Sequence, residues 1–451
     1  MTSKATVGKL NAFQRAMLTW DGLGPYNAIH VVWVAGPLDA QRLEGIVNAQ
    51  LEQAGLTGLN VEPSSGRFRY AGGPARIHVK VVRAAGDPRQ AICEEITRQL
   101  NTSFGRHKRL TPHGALRPFP CRTRVTPFRF FAVPDDEGFS LGLVYWHLIS
   151  GADSIVALLA RIVSLYLGRP PTAPAPRRLA PRNVRYPARL RARDVLAWAG
   201  SLPRTIANLK TSTRAKHADP DDRRVAFVHE RITTEPFARL KAAAKTWEVT
   251  LNDAFLAMLM KAVCPAASRR VRGCRRRVSV SSVVNTRKDL RWDASDTFGL
   301  FLGSFLISRP LPEAVSLEAL ARDIHAETQR IKACRLYLKT SVEFRIGAAL
   351  LSFHPHRRRG RLYHKAYPLW GGITNVNLDA LWPTAGGEGT PDYIRAVSTG
   401  PMTPLVLTIT TAGGALNVGA TYRTTVFSRP DVEAIVSDFC ALADDPGTAG
   451  G

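Results

Sequence analysis

Leu141-Gly142-Leu143-Val144-Tyr145-Trp146-His147-Leu148-Ile149-Ser150-Gly151-Ala152-Asp153-Ser154 is the stretch on which the reading of this chain turns. Up to Trp146 it has the apolar and aromatic content of a strand. Ser150-Gly151 then interrupts it with small residues, and Ala152 opens an apolar helix that runs to Leu167. His147 therefore stands where a strand passes into a turn, just ahead of a helix N-terminus. The positive end of the helix macrodipole opposes protonation, so a ring held there favours the neutral form that a general base needs. A core histidine that only bonds a backbone carbonyl is the plainer reading, and for a lone His it comes first.

Working outward, Pro127–Val133 and Gly138–Tyr145 flank the acidic turn Pro134-Asp135-Asp136-Glu137, which predicts a β-hairpin leading into His147. Tyr26–Val34 reads as a strand, Asp39–Ala54 as a helix with Asp39 as N-cap, and Pro88–Asn101 as a second helix. Beyond the middle of the chain, strands are expected near Val225–Ile232, Arg277–Val284, Leu302–Ile307, Gly372–Leu378, Leu405–Thr410 and Ala415–Tyr422. Helices are expected near Thr234–Trp247, Leu251–Val263, Leu317–Ala333 and Pro430–Leu442. Strands and helices mix without a regular βαβ period, which places the chain in the α+β class.

The chain has 451 residues, 45% of them hydrophobic and 22% charged, a composition that excludes a disordered or collagen-like protein. No apolar run approaches the ~18–20 residues that span a bilayer. No signal-peptide core follows Met1, and the six cysteines form no Cys-x-x-Cys pair, so a cytoplasmic protein without disulfides or zinc is expected. Lys and Arg number 62 against 36 Asp and Glu, a net charge of +26. Of these, 49 are Arg and 13 Lys, a skew that base composition of the gene can produce without selection for binding.

The excess is locally dense in residues 171–224, which carry 13 basic and 4 acidic groups, a net of +9. The same region starts with a Pro/Ala stretch from Arg169 to Pro176 that reads as a linker. Leu190 to Ala215 follows, with Val195, Leu196, Trp198, Leu202, Ile206 and Leu209 at near-helical spacing among cations. One or two amphipathic helices are expected there, with Pro203 near a break. The chain is thus expected to divide into an N-terminal lobe (1–170) with the His stretch, a basic bridging segment (171–224) and a C-terminal lobe (225–451). The bridge is a solvated face or a docking surface for an acidic partner.

Trp146-His147-Leu148-Ile149-Ser150-Gly151-Ala152 resembles the His-His-x-x-x-Asp-Gly signature of the chloramphenicol-acetyltransferase-like acyltransferases. That superfamily includes nonribosomal peptide condensation domains, wax ester synthases and alcohol acyltransferases. Further pieces resemble it in the same order: Leu10–Met17, Tyr26–His30 and Gly36–Asp39 its opening, Val283–Arg287 its Asn-x-Arg segment, and Phe298–Gly303 its Phe-Gly-Asn-type segment. Thr374-Asn375-Val376-Asn377 stands where the family commonly has a Ser-Asn segment beside the active site.

The resemblance implies a two-lobed chloramphenicol-acetyltransferase-like fold, each lobe a mixed β-sheet covered by helices, with an active-site channel between the lobes. It implies an acyltransferase without a metal or tightly bound cofactor. The donor is an acyl thioester on coenzyme A or on a phosphopantetheinyl carrier protein, and the acceptor a small-molecule alcohol or amine. His147 is then the general base, and Thr374 and Asn375 the candidate stabilisers of the oxyanion.

Two positions depart from the signature. Trp146 replaces its first His, which matters little because the second His is the family's usual base. Gly151 replaces its Asp, which in the family mainly pairs with an arginine to hold the loop. Either Asp153 takes over that pairing, with Arg287 as a candidate partner, or packing holds the loop, or activity is weakened. This leaves a catalytically impaired protein that binds an acyl carrier or ligand as the alternative function.

Other clusters carry less. His354-Pro355-His356 beside Arg357–Arg359 has no supporting ligand at metal spacing and reads as a basic loop. The arginines from Arg269 to Arg277 lack interleaved aromatics and read as a solvated turn or a phosphate contact. Nucleic acid is therefore not an expected partner. An acidic carrier protein is, and residues 190–215 are a candidate peripheral contact with a membrane.

Overall fold

The computed structural model describes residues 6–104, 125–170, 191–290, 297–354, 361–363, 366–382 and 389–447. The Pro/Ala stretch from residue 171 onward, Cys121, and the loop with His356 and Arg357–Arg359 lie outside the described residues. The chain forms two compact units. Unit 1 comprises Met1–Tyr186, Leu290–Phe301 and Leu378–Tyr393; unit 2 comprises Pro187–Asp289, Leu302–Asn377 and Ile394–Gly451. Two short pieces from the second half of the sequence thus belong to the first unit.

Unit 1 begins with β1 (Thr6–Lys9), α1 (Ala12–Asp21), β2 (Asn27–Ala35) and α2 (Ala40–Gln53). It continues with β3 (Leu59–Glu62), β4 (Arg67–Tyr70), β5 (Val79–Val81), α3 (Pro88–Leu100), β6 (Phe128–Pro134), β7 (Gly138–Trp146) and α4 (Ala152–Tyr166). Strand β7 lies antiparallel between β2 and β6, and β5 adds in parallel to β6, so the sheet is mixed. Every residue of β7 is buried. Two glycines permit that packing: a Cβ on Gly138 would lie 2.2 Å from the Val34 carbonyl oxygen, and one on Gly142 would lie 2.2 Å from the Phe131 ring. Beyond β2, the Asp392 carbonyl accepts from the Trp33 N–H at 3.1 Å, so the Leu378–Tyr393 piece borders the sheet. Helices α2 and α4 pack together over it, with Ile155, Leu158, Leu159 and Ile162 of α4 fully buried. Strands β1, β4 and β3 form a small separate antiparallel sheet.

Unit 2 holds α5 (Ala192–Thr211), β8 (Val225–Ile232), α6 (Thr234–Thr246), α7 (Leu251–Ser268), β9 (Arg277–Asn285), β10 (Leu302–Pro310), α8 (Leu317–Ala333) and α9 (Thr340–Ser352). Then come β11 (Gly371–Asn377), β12 (Tyr393–Val397, whose first residue belongs to unit 1), β13 (Leu405–Ala412), β14 (Ala415–Arg423) and α10 (Arg429–Asp444). Its six-stranded sheet runs β10-β9-β11-β13-β14-β8. The pairs β9–β11 and β11–β13 are parallel and the others antiparallel. Helix α7 is the core helix: Phe255, Leu256, Met258, Leu259 and Met260 are all fully buried, facing β9 and β11 on one side and α8 and α10 on others. A helix apolar all round is a core helix when it is enclosed in this way. No single helix among the described residues is long and apolar enough to cross a membrane.

The expected α+β class and the mixed, helix-covered sheets are both present. Two helix boundaries differ from expectation. Helix α5 runs unbroken through Pro203, with the hydroxyls of Ser201 and Thr205 donating to the carbonyls of Trp198 and Ser201 in the same turns. Helix α7 likewise continues past Pro265 to Ser268 because its apolar faces stay enclosed.

Candidate active site

The ladder between β2 and β7 ends by pairing Asn27 with Trp146, so Tyr26 and His147 stand one residue beyond its last pair. The His147 N–H donates to the Tyr26 carbonyl at 3.2 Å, and the two rings stack at 5.6 Å between centroids with planes 23° apart. The edge of Tyr145 meets the imidazole at 5.7 Å and 87°. Aromatic pairs of this kind contribute about 0.5–1.5 kcal/mol beyond the area they bury, and they fix ring orientation. His147 is half-buried, and its Nδ1 is the enclosed nitrogen. Burial holds the Tyr26 phenol far above its ordinary range, so it stays protonated beside the ring.

After His147 the chain makes a short 3-10 turn to Ile149, extends through Ser150, and enters α4 with Gly151 as N-cap. Three contacts hold this loop. The Gln14 side-chain amide donates to the Leu148 carbonyl at 2.9 Å in a buried position. The Gly151 N–H donates to the Gly299 carbonyl at 3.0 Å, and the Ser154 hydroxyl lies 3.4 Å from the Thr297 carbonyl. Gln14 is itself set by the capping box of α1, in which Asn11 and Gln14 exchange hydrogen bonds, while the Asn11 amide donates to the Leu300 carbonyl at 2.9 Å. Losing the Gln14 donor leaves a buried carbonyl unpaired, a cost of about 1–3 kcal/mol.

Asp153 lies in the first turn of α4, where a negative charge complements the macrodipole, and its carboxylate accepts the Ser154 N–H at 2.9 Å. A Cβ at Gly151 would stand 3.1 Å from that carboxylate. Behind the site on β2, His30 is buried, with its Nδ1 2.7 Å from the Tyr393 hydroxyl and its ring 5.7 Å from Tyr145.

Thr374, Asn375 and Arg287 belong to unit 2. Thr374 and Asn375 lie on β11, opposite Thr408 and Ile409 of β13. The Thr374 hydroxyl oxygen accepts from the buried Arg395 guanidinium at 3.0 Å, while Asn375 is exposed. Arg287 starts a 3-10 turn, and its N–H donates to the Asn285 side chain at 3.0 Å. Unit 1 thus brings together His147, Gly151 and Asp153. Unit 2 joins Thr374 to Arg395.

No protein-family model matches the chain, and no curated protein sequence matches it. Solved structures do. The first condensation domain of the CDA synthetase matches with a TM-score of 0.64 at 14% identity, over 99% of this chain and 97% of that one. The condensation domain of the Monacolin K polyketide synthase MokA matches with 0.60 at 10% identity, over 99% and 98%. The EpoB cyclization-docking bidomain from Sorangium cellulosum matches with 0.62 at 14% identity, over 98% and 84%. The chain has the condensation-domain fold.

Within this condensation-domain fold, sequence reasoning singled out His147 but missed the groups that hold it. In the sequence, Tyr26 and His30 stand out only as part of a family-like opening. Alternation along β2 and β7 nonetheless puts Ala28, His30, Leu143 and Tyr145 on one face, and that signal was available in the sequence. Gln14's contact with Leu148 carries no local signal, because the two residues lie 134 positions apart.

Proposed function

We propose that this chain is an acyltransferase that moves an acyl group from a phosphopantetheine thioester to a hydroxyl or amine, with His147 as general base. The observation that carries the reading is the fixing of His147. Its backbone is tied to Tyr26, its ring is packed by Tyr26 and Tyr145, and the following loop is held by Gln14 and Gly299. A general base works from a defined position, and this one is held on a rigid strand end. The solved condensation domains of similar fold support the same class of chemistry.

With Nδ1 enclosed, Nε2 is the nitrogen that takes the proton of the attacking hydroxyl or amine. The acceptor's lone pair bonds to the thioester carbonyl carbon, and the carbonyl π pair moves onto oxygen. Collapse of that tetrahedral oxyanion breaks the C–S bond, and the imidazolium returns its proton to the departing thiolate. As oxyanion stabiliser we propose Thr374, whose hydroxyl accepts from Arg395 and keeps its own proton to donate; Asn375, its neighbour on β11, points to the opposite face. Asp153 and Gly151 shape the loop after the base.

Coenzyme A and an acidic carrier protein present the same phosphopantetheine thioester, and either serves as donor in this reading, in the cytoplasm. The test is a panel of acyl thioesters in both forms with alcohol and amine acceptors, following free thiol. Acceptor-dependent thiol release is the expected result. Binding of the thioester without release across the panel favours the second reading, a carrier- or ligand-binding protein, which Gly151 at the signature Asp position motivates.

A further inference from the structure

Helix α5 turns its apolar side the wrong way for a helix that only packs on its own unit. Its inner face is small or polar around Trp198: Asp194 and Ser201 are buried, while Ala197 and Trp198 lie against the core of unit 2. Its outer face carries Val195, Leu196, Leu202 and Ile206, all exposed, with Leu196 at 72%. Positions 195, 199, 202 and 206 fall on one side at helical spacing, and Ala199 between them is also exposed. At 1.5 Å per residue this stripe lies along a rod about 30 Å long.

Charge completes the pattern. Exposed Arg191 and Arg193 lie at one end of the helix, Lys210 at the other, and Arg204 between them. The one acidic residue of α5, Asp194, is buried: it accepts the Arg191 N–H at 3.0 Å and lies 3.4 Å from Arg335. Arg204 pairs with Glu327 at 2.9 Å and Arg193 lies 3.9 Å from Asp194, so the outward face of α5 offers apolar side chains flanked by cations, with no exposed carboxylate of its own. Helix α9 packs on the same turn, Leu336–Lys339, as α5 does, and it adds exposed Ile346, followed by Phe353 at 84% exposure.

We propose that this face of unit 2 docks on an anionic lipid surface, with α5 lying in the plane of the headgroups. The convex, acid-free stripe fits a bilayer interface, where apolar side chains enter the acyl boundary and flanking cations meet lipid phosphates. An acidic protein partner would need a complementary groove for so long a convex ridge, and a second copy of this chain would bring a like-charged helix against it. The inference stands apart from the acyl-transfer reading.

The test is co-sedimentation of the whole chain with two kinds of vesicle, phosphatidylcholine alone and phosphatidylcholine mixed with phosphatidylglycerol. Binding to the mixed vesicles, falling as salt rises, is the expected result. Leu196→Glu with Ile206→Glu should weaken it by about tenfold or more, and each of Arg193→Gln and Lys210→Gln by roughly fivefold. Leu196→Met should leave it unchanged. All four positions are exposed, so the far-ultraviolet circular dichroism and melting temperature of each variant should match the parent. Absence of binding to the mixed vesicles, or equal binding by the Leu196/Ile206 variant, overturns the proposal. So does a dimer, or a complex with an acidic carrier protein, that depends on Leu196 and forms without vesicle binding.

Discussion

At Gly151 the absence of a side chain is tied to the presence of one two positions on. The Asp153 carboxylate stands 3.1 Å from where a Cβ on residue 151 would be, and it caps the Ser154 N–H within the first turn of α4. A carboxylate placed at 151 would stand against the Asp153 carboxylate at close range, a repulsion that the side chains or the loop would have to relieve by moving. Gly151→Asp should therefore destabilise the protein by about 1 kcal/mol or more, while Gly151→Asp combined with Asp153→Ala should recover most of that loss. Urea unfolding of the two variants measures this. If the single variant is as stable as the parent, the two positions are not coupled.

Among the elements, strand β7 decides the geometry because it ends at His147 and is buried along its whole length. Its pairing with β2 depends on Gly138, where a Cβ would meet a backbone oxygen rather than a side chain that can swing aside. Gly138→Ala should cost about 1–3 kcal/mol through displacement of the β2–β7 pair, read as a shift in the urea midpoint at unchanged slope.

The hairpin β6–β7, α4 and the C-terminal strands were legible in the sequence because each carries a full local pattern. Examples are the acidic turn at Pro134–Glu137 in the hairpin and, for α4, the small residues Ser150-Gly151 ahead of an apolar run. The short strands β1, β3 and β4 were not, since runs of four residues hold too few periods to separate from loop. Pro203 misled for a different reason: proline disfavours a helix interior by local sterics, yet α5 runs through it with Pro203 on its exposed side. At the candidate site, His147 was legible from the strand–turn–helix order. The clamp by Gln14 and Gly299 was not, because it joins residues more than a hundred positions apart.

Over the whole molecule, positive charge is both abundant and unevenly tolerated. In unit 2, Arg423 is buried against the carbonyls of Gly400 and Arg223, and burial lowers its pKa to about 9. Nearby His217 is pushed down to about 4, first by burial and then by Arg423 and Arg223. Its ordinary value is 6.5, so as pH falls the unfolded chain takes up this proton before the folded one does. The stability tied to His217 is thus complete above about pH 6.5 and drains away toward pH 4. His217→Gln should flatten that arm of the stability profile, followed as urea midpoint against pH. An unaltered slope between those limits would place the acid sensitivity elsewhere.

The central claim joins the condensation-domain fold to a working base. Its most direct measurement is acceptor-dependent thiol release by His147→Ala beside the parent, on whichever thioester and acceptor the parent turns over, with circular dichroism to confirm the fold. Loss of a positioned general base should lower the rate by about 10²–10⁴-fold while thioester binding persists. Turnover equal to the parent in a folded His147→Ala protein would contradict the account.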